Sequence, residues 1–123
     1  MFSYRHGFHA GNHADVLKHT VLVQLLEHLL HKDKPFWVVD THAGGGLYDL
    51  TAGYATKSGE ALEGIQALWP LRNKKSTPEA VASFLAQVQA VNDKDNLHWY
   101  PGSPQIAAQM LRQGDHLRLF ELH

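Results

Sequence analysis

Cysteine is absent from the 123 residues, which excludes a disulfide framework and any thiolate metal site. Proline occurs five times and never as an adjacent pair. Long apolar runs are missing too. The richest stretch, 16–30, carries Lys18, His19, Gln24, Glu27 and His28, too many polar groups for a lipid-spanning segment. Residues 1–13 lack the basic-then-apolar layout of a secretory signal, so the expected setting is the cytoplasm, with no membrane partner. There is little net charge either. A formal charge of -1 gives the whole chain no electrostatic pull on nucleic acid, and any RNA contact has to be local or to use chain beyond these residues.

What the chain has instead is histidine, ten in all, four of them within the first 19 residues. Ordinary apolar and charged contents predict one globular domain with its own core. The first periodic segment opens at Asn12, a good helix cap, with Asp15 three residues on. Val16, Leu17, Thr20, Val21, Leu25 and Leu29 then recur at helical spacing and predict a helix running to about His31. Phe36-Trp37-Val38-Val39-Asp40 reads as a strand buried inside a parallel sheet. A helix from Ser58 or Gly59 through Leu62, Ile65 and Leu68 is predicted to stop at Pro70. A second starts at Thr77-Pro78-Glu79, with Val81, Phe84, Leu85, Val88 and Val91 on its apolar face. Ser103-Pro104 opens a third, stopped by Gly114, and Leu117 to Glu121 forms another strand. Strand, glycine turn, helices and strand predict an α/β fold. Two strands alone make a poor sheet, so the chain reads as part of a larger fold.

The segment from Val38 to Gly46 is the richest in chemical meaning. A strand ending in an acid and followed by glycines is how Rossmann-like folds seat a nucleotide at a strand's carboxyl edge. The dinucleotide fingerprint is incomplete, because Gly44 and Gly46 are followed by Asp49 where a third glycine belongs. An acid there opposes a pyrophosphate but tolerates a cationic sulfonium. A glycine loop serving only as a turn is the competing reading. Glu121 ends the second strand, where a carboxylate can accept the hydroxyls of a ribose. That role is usually found about 20 residues past the glycines, so an insertion must separate the two; an ordinary surface glutamate is the alternative. The histidine-rich start offers three readings. His6, His9 and His13 suggest a metal site, yet His9 precedes the helix and does not share a face with His13. Alternatively Tyr4 stacks on a base while Arg5 and Lys18 meet phosphate. The third is a solvated terminus. Arg72, Lys74 and Lys75 read as a solvated basic connector.

Taken together, SYRHGFHAGNHADVLKHT (3–20), KDKPFWVVDTHAGGGLYDL (32–50), SGEALEGI (58–65), YPGSPQIA (100–107) and FELH (120–123) closely resemble the bacterial 23S ribosomal RNA adenine-N6 methyltransferase J family, in the family's order. The resemblance implies a Rossmann-like class I S-adenosylmethionine-dependent methyltransferase, incomplete, with a small helical insertion. Residues 1–47 are then the arm, first helix, first strand and glycine loop; 48–96 the insertion; and 97–123 the continuation of the methyltransferase domain. It implies S-adenosyl-L-methionine contacts at His19, His42, Gly44, Gly46, Ser103 and Glu121. Tyr4 is implied to face RNA, with His6 and Lys18 near the target base. The implied partner is 23S rRNA, free of ribosomal proteins or incompletely assembled with them. No metal is implied. Similar enzymes grip the target amine with an acidic or amide residue followed by Pro-Pro and an aromatic. This sequence has no such pair, so the catalytic motif is expected beyond His123, and the 123 residues alone are expected to be inactive. A non-catalytic RNA- or nucleotide-binding module derived from the same fold is the alternative function.

Overall fold

A reciprocal cap starts the first long element. In the computed structural model, which describes residues 6–53 and 59–121, helix α1 covers His13–Leu30. The Asn12 side chain accepts from the Asp15 amide at 2.8 Å, and Asp15 Oδ2 accepts in turn from the Gly11 amide at 3.1 Å. Two N–H groups at the helix entry are thereby satisfied, and a carboxylate sits at its positive end. The residues that mark the helical period are not those on the innermost face. Val23 and Leu26 are buried together with Asp15 and His19, whereas Leu17, Val21, Leu25 and Leu29 are exposed, Leu17 at 68%. The helix is apolar on two sides, so periodicity alone cannot choose between them. The side taken inward is the one whose polar members find partners.

Strand β1, Trp37–Asp40, pairs parallel with β4, His116–Leu119, in the register Trp37↔His116 to Asp40↔Leu119. An arginine staple fixes the start of this pairing. Arg112 donates to the carbonyls of Lys32 (2.8 Å) and Lys34 (3.0 Å), while Asp115 accepts from Arg112 Nε (3.1 Å) and the Phe36 amide (3.1 Å). Val38 and Leu117 turn one face onto Val23, Leu26, Ile106 and Ala107. The other face is open. Trp37 and Val39 are 55% and 57% exposed, and Trp37 stacks on His116 at 4.4 Å beneath the Arg118 guanidinium. The strand expected to be buried on both faces is half-buried on one, because α1 and the helix before β4 pack on that side alone among the described residues.

A second, antiparallel pair was not foreseen. β2, Leu47–Asp49, lies beside β3, Trp99–Pro101; three residues are too few to show a period. The continuous helix expected from residue 59 is also broken, into 3-10 turns at Glu60–Glu63 and Trp69–Leu71 around a short α2, Ile65–Leu68. The break follows from contact with the arm. Gly64 lies against the backbone of Gly11 and Asn12, and the Ile65 amide donates to the Gly11 carbonyl at 2.8 Å. Pro70 sits inside the last turn rather than stopping a helix.

Helix α3, Glu79–Gln89, buries Phe84, Leu85 and Val88 as its pattern predicts. Its cap differs, since Pro78 holds the N-cap position and the Thr77 hydroxyl donates to the Leu71 carbonyl. Helix α4 is Ser103–Met110. Gly102, not Ser103, is its N-cap, and it ends before Gly114 because Leu111 turns extended to reach the arginine staple. The larger core combines Ile65, Trp69, Phe84, Leu85 and Val88 from the middle of the chain with Ala10 and Tyr100 from its flanks. The fold is mixed α/β. No helix among the described residues is long and apolar enough to cross a membrane.

Candidate functional site

The carboxyl ends of β1 and β4 open into a cleft of about 450 Å³. Its walls bring together His6, Lys18, His19, His42, Gly44, Ser103 and Glu121, seven of the residues singled out from the sequence. Gly46 is not in the wall; its carbonyl accepts from the Gly102 amide at 2.9 Å and ties the glycine loop to the entry of α4. Tyr4 and Arg5 lie outside the described residues. His9 and His13 are not in the wall either, and His9 pairs with Glu60 at 2.8 Å. Among the described residues no group of three His, Cys, Asp or Glu side chains is placed to hold a metal.

Asp40, outside the wall itself, joins two of its residues. One carboxylate oxygen accepts the Ser103 hydroxyl proton and the other accepts from the His42 amide at 3.1 Å. Main-chain bonds continue the β1–β4 pairing past the strands, from the Phe120 amide to the Asp40 carbonyl (2.9 Å) and from the Ala43 amide to the Phe120 carbonyl (3.0 Å). Glu121 is thereby delivered beside the glycine loop. Two glycines are required for different reasons. Gly44 has φ of +63°, and a Cβ there would lie 2.9 Å from the Tyr48 hydroxyl and 3.6 Å from Glu121 Oε2. At Gly102 a Cβ would fall on the Gly45 carbonyl oxygen.

Tyr48 and Gly102 were not singled out from the sequence, nor was Asp40 as a bridge. Tyr48 accepts from the Gly45 amide at 2.8 Å and meets the His6 ring edge-on at 5.1 Å. The i,i+3 spacing from Gly45 was a faint local signal. The other two depend on contacts across some 60 residues, which no local pattern reveals.

The electrostatics divide the cleft. His19 lies at its back, only 1% exposed, and shares a hydrogen bond between Nδ1 and the buried Tyr100 hydroxyl at 2.7 Å. Burial, only partly offset by the Asp15 carboxylate, lowers the His19 pKa to about 4, so the ring is neutral at pH 7. Burial likewise pushes the Tyr100 phenol well above its usual range. A sealed ring of this kind offers a ligand one edge at most. Asp15, 3% exposed, is raised by burial, but the His6 hydrogen bond, the nearby histidine charges and the Gly11 amide outweigh this and hold it below the ordinary carboxylate range. At the mouth, Lys18 is largely exposed, 3.6 Å from Asp15 Oδ1. The cleft thus offers glycine backbone, one acid, Glu121, in its wall and a cation, Lys18, at its entrance. That set suits a polar ligand carrying charges of both signs.

Comparison with known proteins agrees with this architecture. The family model described as ribosomal RNA large subunit methyltransferase D, RlmJ, matches residues 33–123. Ribosomal RNA large subunit methyltransferase J of Escherichia coli is 50% identical over all 123 residues, and its counterpart in Haemophilus influenzae is 47% identical over 124 aligned positions covering the whole chain. The chain spans 43% of the length of each. A crystal structure of a Legionella pneumophila protein superposes with a TM-score of 0.83 at 41% identity, covering 93% of this chain and 40% of that one. The chain belongs to the ribosomal RNA large subunit methyltransferase J family.

Proposed function

We propose that these residues form the cofactor-side part of a Rossmann-like, class I S-adenosylmethionine-dependent methyltransferase that modifies N6 of an adenine in 23S rRNA, acting in the cytoplasm. The observation that carries the reading is the convergence at one cleft of the glycine loop after β1, the start of α4 and Glu121 after β4. All three lie at the carboxyl end of a parallel pair, where α/β sheets bind nucleotides. The cradle fits the cofactor. Gly44 leaves room between Tyr48 and Glu121 that a side chain would fill, and the Glu121 carboxylate suits ribose hydroxyls. The amino end of α4, with Ser103 fixed by Asp40, suits a carboxylate.

When bound, S-adenosylmethionine supplies an activated sulfonium methyl, so the protein's task is positioning and exclusion of water. In this reading Gly44 and the Gly45 backbone take the adenosyl portion, Glu121 holds the ribose, and His42 and Ser103 line the remaining contacts. Gly46, outside the cleft wall, serves through its carbonyl bond to Gly102. His19 holds the back of the site as a neutral ring. His6 and Lys18 at the mouth, with Tyr4, meet the RNA. Methyl transfer itself is assigned to a Pro-Pro motif absent from these 123 residues.

The reading is tested by calorimetric titration of S-adenosylmethionine into the purified chain, with circular dichroism monitoring the fold. Saturable binding that His42→Ala abolishes supports it. A folded chain that takes up no cofactor refutes this placement of the site.

A further inference from the structure

Asp15 is a buried acid that the cofactor contacts described above do not use. It lies beside the cleft rather than in its wall. Its Oδ2 takes two donors, His6 Nε2 at 2.6 Å and the Gly11 amide at 3.1 Å. An ionised carboxylate only accepts, so the His6 nitrogen facing it must carry the proton, and the ring plane is fixed. His6 in turn presses edge-on against Tyr48 at 5.1 Å, and the Tyr48 hydroxyl accepts from the Gly45 amide at 2.8 Å. Carboxylate, imidazole, phenol and loop amide form one connected line from the entry of α1 to the glycine loop. Tyr48 also fills the space beside Gly44 and Gly45, so any movement of its ring is transmitted to both glycines.

We propose that Asp15 is a positioning residue for the cofactor cleft, acting through His6 and Tyr48 to hold the 44–46 glycine loop in its ligand-ready shape. The proposal rests on the cofactor reading given above and adds a residue that touches no cofactor. It also makes the mouth and the loop mechanically continuous: a ligand that moves His6 at the entrance alters the seat of the cofactor.

The capping bond to Gly11 gives Asp15 an ordinary structural role as well, and the test separates the two. In Asp15→Asn the amide oxygen can still accept from both Gly11 and His6, and what is lost is the charge that strengthens and shortens the His6 bond. Amide spectra of the isotope-labelled 123-residue chain are compared for wild type, Asp15→Asn and Tyr48→Phe, alongside S-adenosylmethionine titrations of the same proteins and of the double variant. The expected result is a displaced, faster-exchanging Gly45 amide in both single variants and cofactor affinity reduced about tenfold in each. The double variant is expected to be hardly worse than either, because one substitution weakens and the other breaks the same line. A folded Asp15→Asn chain with an unmoved Gly45 amide overturns the proposal, as do affinity losses that simply multiply. If Asp15→Asn fails to fold, His6→Gln replaces it and is judged by the same Gly45 signal. A wild-type chain that binds no cofactor while Asp15→Asn still displaces Gly45 refutes the cofactor reading and leaves the positioning of the loop standing.

Discussion

Lowering the pH from 7 to 4 should cost this fold about 3 kcal/mol through His19 alone. The ring is 1% exposed, bonded to Tyr100, and titrates at about 4 rather than its ordinary 6.5. The unfolded chain therefore takes up a proton that the folded chain refuses. A group of this kind contributes stability above its unfolded pKa and loses it as pH falls, and the loss is complete near the folded value. The window is pH 6.5 to 4, and at about 1.4 kcal/mol for each pKa unit the total reaches about 3 kcal/mol. For a domain of this size that corresponds to about 10 °C in melting temperature. The assay is chemical denaturation followed by circular dichroism at half-unit pH steps, for wild type and His19→Gln. The variant should start less stable at pH 7 but show a much flatter profile across the window. Asp15 lies in the same neighbourhood yet acts lower, because its depressed pKa keeps its contribution intact until pH falls below its ordinary 3.8. Equal slopes in the two proteins between 6.5 and 4 would refute the assignment to His19.

Gly102→Ala forces a methyl onto the Gly45 carbonyl and should cost about 1–3 kcal/mol and cofactor binding, whereas Gly46→Ala, with nothing within 4 Å, should bind normally; titration calorimetry distinguishes them. Phe84→Ala empties the centre of the larger core and should cost about 3–5 kcal/mol in urea melts. Asp115, held down to about 2 chiefly by Arg112, keeps its contribution above pH 3.8 and loses it as pH falls through 2; Asp115→Asn should remove that acid transition. The exposed Leu17, Val21, Leu25 and Leu29, with the open face of β1, should make the chain self-associate. Leu25→Glu should reduce association in sedimentation velocity, and a monodisperse wild type at high concentration would contradict the expectation.

What the sequence revealed about this fold depended on range. Asn12 with Asp15, the Phe84 face and the glycines after β1 were legible because each is a pattern within a turn or two of chain. The helix from residue 59 was misjudged because Gly64 meets Gly11, a contact across some 50 residues that diverts the backbone bonds. The buried side of α1 was not legible, because its stripe of leucines is the more regular while the inner side carries Asp15 and His19. Those two are acceptable inside only because His6, Gly11 and Tyr100 receive them. At the cleft, Glu121 was legible as an acid at a strand end, whereas His42 and Ser103 were named as cofactor contacts through family likeness. Asp40, which joins two of their segments, was legible only as the acid ending a strand.

The arginine staple bears on how the chain comes to be folded at all. β1 leaves the ribosome first but has no partner until β4 follows, some 80 residues later, and the two strands must be parallel. Pairing so distant in sequence is slow, because the loop entropy is lost before any ladder bond is gained. Arg112 and Asp115 reach back to Lys32, Lys34 and Phe36 just ahead of the strands, so they can align the pair before it zips toward Asp40 and Leu119. The cleft lies at the far end of that zipper and closes last. A ligand that fits it would therefore stabilise only chains whose strands had paired to the end.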